Sequence, residues 1–199
     1  MLRRNFTIPK AVKKAELNVA AFGYYTAQIN GQPVSNAVLD PPPSQYDKTV
    51  FSRSVDVTGL LQPGVNAIGV MLGRSYASGI AGPGAPWTSE PRLLAQLDIT
   101  FVDGKTQRLV TDGAWKMADS PIHDWMYYGE NYDARKEVAG WTLPSFDDAE
   151  GQAAPVQRPP TARIIPAIAP PVTVVDTFPP VASAMLPSGV TVYVFGKMT

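Results

Sequence analysis

The sequence predicts an all-β fold of the sandwich or jelly-roll type. Twenty prolines and sixteen glycines in 199 residues interrupt the chain too often for long helices. Residues 92–101 alternate between apolar and polar side chains, as a strand with one buried face does. The dipeptides Asn30-Gly31 and Asp103-Gly104 are typical of tight hairpin turns. Short strands separated by frequent turns favour a sandwich over a helical or βαβ fold.

In the first third of the chain, strand-like segments are separated by turn signals. Residues 15–20 alternate between apolar and polar side chains and predict a strand, and residues 25–29 predict a second one. Asn30-Gly31 predicts a type I′ turn, because both residues tolerate the positive φ that this turn requires. The chain then returns at residues 32–34, and a further strand is predicted over residues 50–57.

The middle of the chain predicts the centre of the sandwich. Residues 67–72 are apolar enough for a strand that is buried on both faces. Asp103-Gly104 predicts a second type I′ hairpin that returns through residues 109–110. One face of the strand over residues 92–101 is wholly apolar and consists of Leu93, Ala95, Leu97, Ile99 and Phe101.

The last quarter of the chain has a different composition. Nine of the twenty prolines lie between Pro155 and Pro187, and residues 149–162 are polar and rich in alanine and proline, as linkers are. Residues 172–175 and 190–195 predict two isolated strands without partners, and two strands cannot bury a core alone. The predicted organisation is a sandwich domain over residues 1–148, a linker over 149–162, and the truncated β segment of a next domain over 163–199.

Composition excludes several classes of partner and site. Lys and Arg together number 17 and so do Asp and Glu, so no excess of positive charge attracts nucleic acid or a membrane surface. We therefore predict no nucleic-acid and no membrane partner. The absence of cysteine excludes disulfides and thiolate chemistry, and His123 is the only histidine, which argues against a transition-metal site.

Several motifs, taken in their order along residues 6–141, resemble the N-terminal accessory domain of bacterial α-L-rhamnosidases. The segments that carry the resemblance include Ala21-Phe22-Gly23-Tyr24-Tyr25, Leu39-Asp40-Pro41, Tyr46-Asp47-Lys48, Gly64-Val65-Asn66-Ala67-Ile68, Thr111-Asp112-Gly113-Ala114-Trp115-Lys116 and Gly129-Glu130-Asn131-Tyr132-Asp133-Ala134-Arg135.

This resemblance implies a galactose-binding-like jelly-roll sandwich that precedes an (α/α)₆ catalytic barrel. The family's catalytic carboxylates lie in that barrel, so no catalytic residue is expected in this chain. The implied partners are a rhamnose-containing carbohydrate and the catalytic domain of the same enzyme. Some related domains bind L-rhamnose with the help of a calcium ion, which makes calcium the one cofactor to consider.

Aromatic and acidic residues in the predicted loops are candidates for sugar binding. Sugar rings pack their C–H faces on aromatic rings, while their hydroxyl groups need polar partners. Tyr76 and Trp87 lie in the least regular predicted loop, and Tyr76 stands where the family often has tryptophan. Tyr46 and Asp47 belong to one of the motifs that carry the resemblance. These four residues form the first candidate set.

Glu130, Asp133 and Arg135 form the second candidate set and have two interpretations. In the structural interpretation, Arg135 forms a bidentate ion pair with a carboxylate and fixes residues 129–135 as a loop that is essential to the fold. In the functional interpretation, Glu130 and Asp133 bind calcium or sugar hydroxyl groups, because hard oxygen ligands suit both. Arg135 is buried in the first case and exposed in the second.

Three functions from different classes follow from these observations. The first is a carbohydrate-binding module that directs its parent enzyme to rhamnose-containing glycans. The second is a purely structural domain that packs on the catalytic barrel and has no ligand of its own. The third is an enzyme with its own active site, which requires two carboxylates held across the scissile bond.

Overall fold

The computed structural model describes residues 1–78, 90–125 and 129–196. Within these ranges the helical content is two short 3₁₀ helices, Thr58–Leu60 and Ala134–Lys136. The strands are β1 (Leu2–Ile8), β2 (Val12–Phe22), β3 (Tyr24–Ile29), β4 (Gln32–Pro33), β5 (Ala37–Val38), β6 (Thr49–Asp56), β7 (Gly64–Gly73), β8 (Arg92–Phe101), β9 (Thr106–Val110), β10 (Lys116–Met117), β11 (Ile122–Trp125), β12 (Gly129–Tyr132), β13 (Gln152–Ala153), β14 (Arg163–Pro166), β15 (Val172–Thr173), β16 (Ala182–Met185) and β17 (Thr191–Val194). Neither helix in the described ranges is long enough and apolar enough to span a membrane.

One layer of the fold is a six-stranded antiparallel sheet with the order β13-β10-β1-β7-β3-β4. Strand β7 lies between β1 and β3 and pairs with both of them in antiparallel register. Its residues Ala67, Ile68 and Val70 are buried, as the apolar run over residues 67–72 predicts. The prediction of a central strand at this position is therefore confirmed.

The other layer is a five-stranded sheet with the order β14-β6-β2-β8-β9. Strand β8 pairs with β2 along almost its whole length, and the alternation over residues 92–101 places its apolar face against the core. The predicted all-β sandwich is confirmed, and the finer assignment of a jelly roll stays a prediction. The largest fully buried aliphatic side chains between the layers are Ile8, Leu17, Val19, Ile29, Val57, Ile68, Val70, Leu97 and Ile99.

The two predicted hairpin turns differ in their backbone geometry. Asn30 and Gly31 have φ angles of 53° and 81°, as a type I′ turn between β3 and β4 requires. Asp103-Gly104 does connect β8 to β9, but of these two residues Gly104 alone has a positive φ, 82°. The Gly104 N–H donates to the carbonyl of Phe101 at 2.9 Å. This hairpin is therefore built on a type I turn followed by a left-handed glycine, and the prediction of type I′ is wrong there.

The C-terminal quarter pairs with the sandwich more extensively than its sequence indicates. Strand β14 adds in parallel to the edge of β6, β15 pairs with β5, and β13 pairs with β10. Strands β16 and β17 form a hairpin with each other. The prediction that residues 172–175 and 190–195 are isolated strands is therefore wrong, because their partners are distant in sequence or lie in the segment between them. The division into domains at residues 148 and 162 stays a prediction.

The outer face of the six-stranded sheet is covered by the segment that contains residues 141–148. Gln28, Gly69 and Arg3 are register partners in a row across β3, β7 and β1. The hydroxyl of Thr142 donates to Oε1 of Gln28 at 2.8 Å. A Cβ atom on Gly69 would come within 2.5 Å of the methyl group of Thr142 and 2.7 Å of the Trp141 ring. Glycine at position 69 therefore allows this segment to lie directly on the sheet.

Arg3, at the other end of the row from Gln28, binds residues 141–148 through its side chain. Its side chain is 5% exposed, and its guanidinium donates to the carbonyl oxygens of Trp141 and Leu143 at 2.8 and 2.9 Å. It also forms an ion pair with Asp148 and donates to Oδ1 of Asn5 at 2.9 Å. The cation is thus fully surrounded by acceptors, as a buried guanidinium must be.

Candidate functional site

The turn that carries Tyr46 and Asp47 meets the loop that follows β7. Tyr46 is buried, packs against the ring of Phe22 with the ring centroids 5.7 Å apart, and lies in one apolar cluster with Ala77. Burial raises the pKa of the Tyr46 phenol, and hydrogen bonding with the side chain of Ser75 and the backbone of Ser44 only partly opposes the rise. Tyr46 is therefore a packing residue that joins the two loops.

Two polar atoms at this junction lack hydrogen-bond partners. They are Oδ1 of Asp47 and Oγ of Ser78, and both are inaccessible to solvent. A buried polar atom without a partner is energetically costly and is rare in native proteins, unless a water, an ion or a ligand satisfies it. Tyr76, two residues before Ser78, is 37% exposed and presents an aromatic surface at the same loop. Trp87, the fourth member of this set, lies outside the described residues.

The second candidate set lies in and beside β12, which pairs with β11. The Nε and Nη2 atoms of Arg135 each donate to one carboxylate oxygen of Asp133 at 2.8 Å, so the predicted bidentate pair is confirmed. Glu130 is exposed, and Arg135 has 89% of its side chain exposed. The predicted fixed loop is instead an exposed strand and a 3₁₀ turn, so a buried Arg135 is wrong, and the importance of residues 129–135 for the fold stays a prediction.

The predicted calcium site at Glu130 and Asp133 has few ligands. Arg135 engages both carboxylate oxygens of Asp133, and it lowers the pKa of this carboxyl group by hydrogen bonding. Within the described residues, no cluster of three or more His, Asp and Glu side chains could hold a metal ion. A calcium ion at this position would compete with the guanidinium for Asp133. The calcium site stays a prediction.

Replacement of Arg135 with alanine is expected to leave the melting temperature almost unchanged. The ion pair with Asp133 is exposed to solvent, and surface pairs contribute little to stability because water and salt screen them. Thermal unfolding followed by circular dichroism measures the effect. A large fall in melting temperature would show that residues 129–135 support the fold after all.

A buried ionic cluster that the sequence analysis did not select lies at Asp40. Its carboxylate accepts from Nε of Arg53 at 3.0 and 3.3 Å and from the hydroxyl of Tyr25 at 3.3 Å. Nη1 of Arg53 donates to the carbonyl of Ala169 at 2.7 Å, which ties the C-terminal segment to β6. Asp40 belongs to a motif that carries the family resemblance, and this motif was the one feature of the sequence that pointed to Asp40. The ionic cluster itself could not be predicted, because Tyr25, Asp40, Arg53 and Ala169 are distant from one another in sequence.

Alkaline pH is expected to destabilise the protein through Tyr25. Burial raises the pKa of the Tyr25 phenol strongly, the Asp40 carboxylate adds to the rise, and Arg53 opposes it. In the unfolded chain the phenol ionises near its usual pKa of about 10. The contribution of the neutral Tyr25 phenol to the free energy of unfolding is therefore complete below that pH and is lost as pH rises above it. Urea unfolding at pH 8, 10 and 11 should show a shallower decline for Tyr25→Phe than for the wild type, and equal declines would contradict this assignment.

The comparisons with known proteins agree with this architecture. The profile of the α-L-rhamnosidase N-terminal domain matches residues 10–176. The chain belongs to this family. An α-L-rhamnosidase of Streptomyces avermitilis is 39% identical over 151 residues, which cover 74% of this chain and 15% of that protein. The N-terminal accessory domain expected from the motifs is thus confirmed as an α-L-rhamnosidase N-terminal domain.

Solved α-L-rhamnosidase structures share the fold over nearly the whole chain. The enzyme from Dictyoglumus thermophilum superposes with a TM-score of 0.87 at 34% identity, and the match covers 98% of this chain and 22% of that one. The S. avermitilis enzyme, solved in complex with L-rhamnose, also gives a TM-score of 0.87 at 34% identity over 96% of this chain and 19% of that one. The chain therefore spans about a fifth of these α-L-rhamnosidases.

Proposed function

We propose that this α-L-rhamnosidase N-terminal domain binds a terminal sugar of rhamnose-containing glycans at the junction of Tyr46, Asp47, Tyr76 and Ser78. The observation that carries the proposal is Oδ1 of Asp47, a buried oxygen without a hydrogen-bond partner, in the turn that packs through Tyr46 on the loop of the partly exposed Tyr76. A sugar hydroxyl is a donor that satisfies this oxygen once neighbouring side chains shift to expose it, and the ring of Tyr76 offers a face for sugar C–H groups.

The roles of the individual residues differ within this proposed site. Asp47 accepts a hydroxyl hydrogen bond, and Oγ of Ser78 either donates to or accepts from a second hydroxyl. Tyr76 provides the packing surface. Tyr46 is buried and positions the two loops through its contacts with Phe22 and Ser75, so it is not expected to touch the sugar. L-Rhamnose is the sugar of choice because the family acts on rhamnosides and a relative was solved with L-rhamnose.

Calorimetric titration with L-rhamnose tests the proposal directly. Asp47→Ala and Tyr76→Ala are each expected to weaken binding about tenfold, since each loses a hydrogen bond to a charged group or an aromatic contact. Glu130→Gln and Tyr132→Ala are matched controls, because they alter an exposed acid and an exposed aromatic residue in β12. Both controls should bind L-rhamnose as tightly as the wild type.

Repeating the titrations with and without calcium separates the two candidate sets. Binding that needs calcium and is lost in Glu130→Gln but kept in Asp47→Ala would transfer the proposed function to Glu130 and Asp133. An absence of measurable binding would favour the purely structural alternative. We expect no hydrolysis of an aryl α-L-rhamnoside by the chain, and turnover that Glu130→Gln abolishes would support the third class of function.

The structural alternative is favoured by one specific feature, the hairpin of β16 and β17. Opposite residues of an antiparallel pair share a face, so the register places one uniformly apolar set of side chains together. This apolar face consists of Ala182, Ala184, Leu186, Val190, Val192 and Val194, and all six residues are exposed. The side chains of Leu186, Val190, Val192 and Val194 are 40–55% exposed. We propose that a further β-sheet of an intact α-L-rhamnosidase covers this face.

Hydrogen exchange tests this packing role. In an intact α-L-rhamnosidase that contains this chain, amides of residues 182–194 are expected to exchange slowly, whereas in the 199-residue chain they should exchange rapidly. Amides of β7 provide the internal control, because β7 is central to its sheet in either case. Equally fast exchange of the hairpin in both proteins would exclude the covering sheet.

A further inference from the structure

A groove of about 290 Å³ lies against strand β3, where the chain after β4 turns back to form β5. It shares no lining residue with the Tyr46, Asp47 and Tyr76 junction. Its size is just below the range of about 300–1,000 Å³ that is typical of small-molecule sites, which suits one sugar ring better than an oligosaccharide. The groove is therefore separate from that junction and has the volume of a single sugar ring.

The lining combines uncharged polar groups with an apolar wall. Hydroxyl and amide side chains come from Thr26, Gln28, Ser35 and Asn36, and the apolar wall comes from Pro33, Ala37 and Val38. Hydroxyl and amide groups both donate and accept hydrogen bonds, as a polyol ligand requires. A ligand that fits this lining has hydroxyl groups on one side and an apolar edge on the other.

The charge in the groove is already neutralised. Asp40 is the ionisable acid among the lining residues, and its carboxylate is bound to Arg53 and to the hydroxyl of Tyr25. No carboxylate in this lining is thus left to attract a cation, and no lysine or arginine in it attracts a phosphate or a carboxylate. The groove therefore selects a neutral ligand.

Leu39 is a residue with strained backbone next to the groove. It lies between the lining residues Val38 and Asp40, has a φ of 52° and is 58% exposed. A bulky residue in the left-handed region is strained and persists only where its surroundings hold it there. Asp40 supplies that constraint, because its side chain binds Arg53 and its carbonyl accepts from the Tyr25 N–H at 2.9 Å. The fold thus holds a large apolar side chain in solvent between two residues that line the groove.

We infer that this groove is a second carbohydrate subsite, which takes a neutral 6-deoxyhexose unit with its methyl group toward the apolar wall of Pro33, Ala37 and Val38. Ring hydroxyl groups bond to the amide group of Asn36, to the hydroxyl hydrogen of Ser35 and to the amide nitrogen of Gln28, whose Oε1 already accepts from Thr142. This subsite is independent of the site at Asp47 and Tyr76, so either one exists without the other.

An NMR titration of the 199-residue chain with L-rhamnose and with L-mannose tests the inference. The two sugars have the same ring stereochemistry and differ in having a methyl group or a hydroxymethyl group at C5. L-Rhamnose is expected to shift the amide signals of Thr26, Asn36 and Val38 and to bind there about fivefold more tightly than L-mannose, whose additional hydroxyl group would lie without a partner against the apolar wall. The same shifts should persist in Asp47→Ala.

Two variants probe the groove itself. Thr26→Trp places a large ring in the groove from an exposed strand position and should abolish the shifts at Asn36 and Val38. Leu39→Gly relieves the backbone strain, because glycine adopts a positive φ without cost, so the melting temperature should not fall. It leaves the apolar wall of Pro33, Ala37 and Val38 in place, so the preference for L-rhamnose over L-mannose should persist.

The outcomes separate this inference from the proposed function. Shifts confined to residues 46–47 and 75–78 would overturn the second subsite and leave the proposed function in place. Shifts in the groove that persist in Asp47→Ala support the subsite, even if calorimetry finds no binding at Asp47. The absence of groove shifts with either sugar, or equal affinity for both sugars in the wild type, would overturn the inference.

Discussion

Replacement of Arg3 with methionine is expected to reduce the free energy of unfolding by about 3–5 kcal/mol, the cost of breaking a buried ion pair by removing one partner. Methionine fills much of the same space, but Asp148 and the carbonyl groups of Trp141 and Leu143 lose their donors. For a chain of this length the melting temperature should fall by roughly 10 °C. Urea unfolding and a thermal melt measure the two quantities.

Arg4→Met is the matched control for Arg3→Met. Arg4 is the next residue in β1, and its Nη1 donates to Asp112 at 2.7 Å, yet this pair is partly open to solvent. Loss of such a pair costs about 1 kcal/mol or less. A difference of several kcal/mol between the two variants would confirm that the cover over the sheet depends on Arg3. Equal losses would show that Arg3 does not hold residues 141–148.

Asp40→Ala should be the second strongly destabilising change, with a loss of about 3 kcal/mol. The substitution leaves the guanidinium of Arg53 and the hydroxyl of Tyr25 in a buried environment without their acceptor. Arg53 also donates to the carbonyl of Ala169, so the C-terminal segment should loosen when Arg53 is no longer held by Asp40. Limited proteolysis is expected to cut near residues 167–171 faster in Asp40→Ala than in the wild type.

Asp98→Ala is the control for the loss of a carboxylate. Asp98 pairs with Arg108 across β8 and β9, but this pair lies on the exposed face, and its loss should cost under about 1 kcal/mol. Cleavage near residues 167–171 should stay at the wild-type rate in this variant. Equal cleavage in both variants would contradict a specific link between Asp40 and the C-terminal segment.

The candidate site at Tyr46, Asp47 and Tyr76 could be predicted from the sequence only in part. Tyr46, Asp47 and Tyr76 were selected separately from a family motif and from an irregular loop, and the structure brings the two loops together. The sequence could not indicate that Tyr46 is buried while Tyr76 is partly exposed, since both are aromatic residues in turns. The sequence likewise did not distinguish the first candidate set from Glu130, Asp133 and Arg135. The exposure of Glu130 and Arg135 is evident only in the folded chain.

The amino-acid sequence by itself determined the local β structure of this protein. The alternation in residues 92–101 and the positive φ angles tolerated by Asn30-Gly31 are properties of neighbouring residues, so they appear in the sequence as they do in the fold.

Only the tertiary structure decided what covers each strand face and which distant strands pair. Arg3 alternates onto the polar face of β1, and such a pattern normally indicates exposure to water. A segment about 140 residues away covers that face, and β14 and β15 pair with strands formed more than 100 residues earlier. Local periodicity reports which side of a strand is apolar, but the partner on the other side depends on long-range contacts that a short stretch of sequence does not contain.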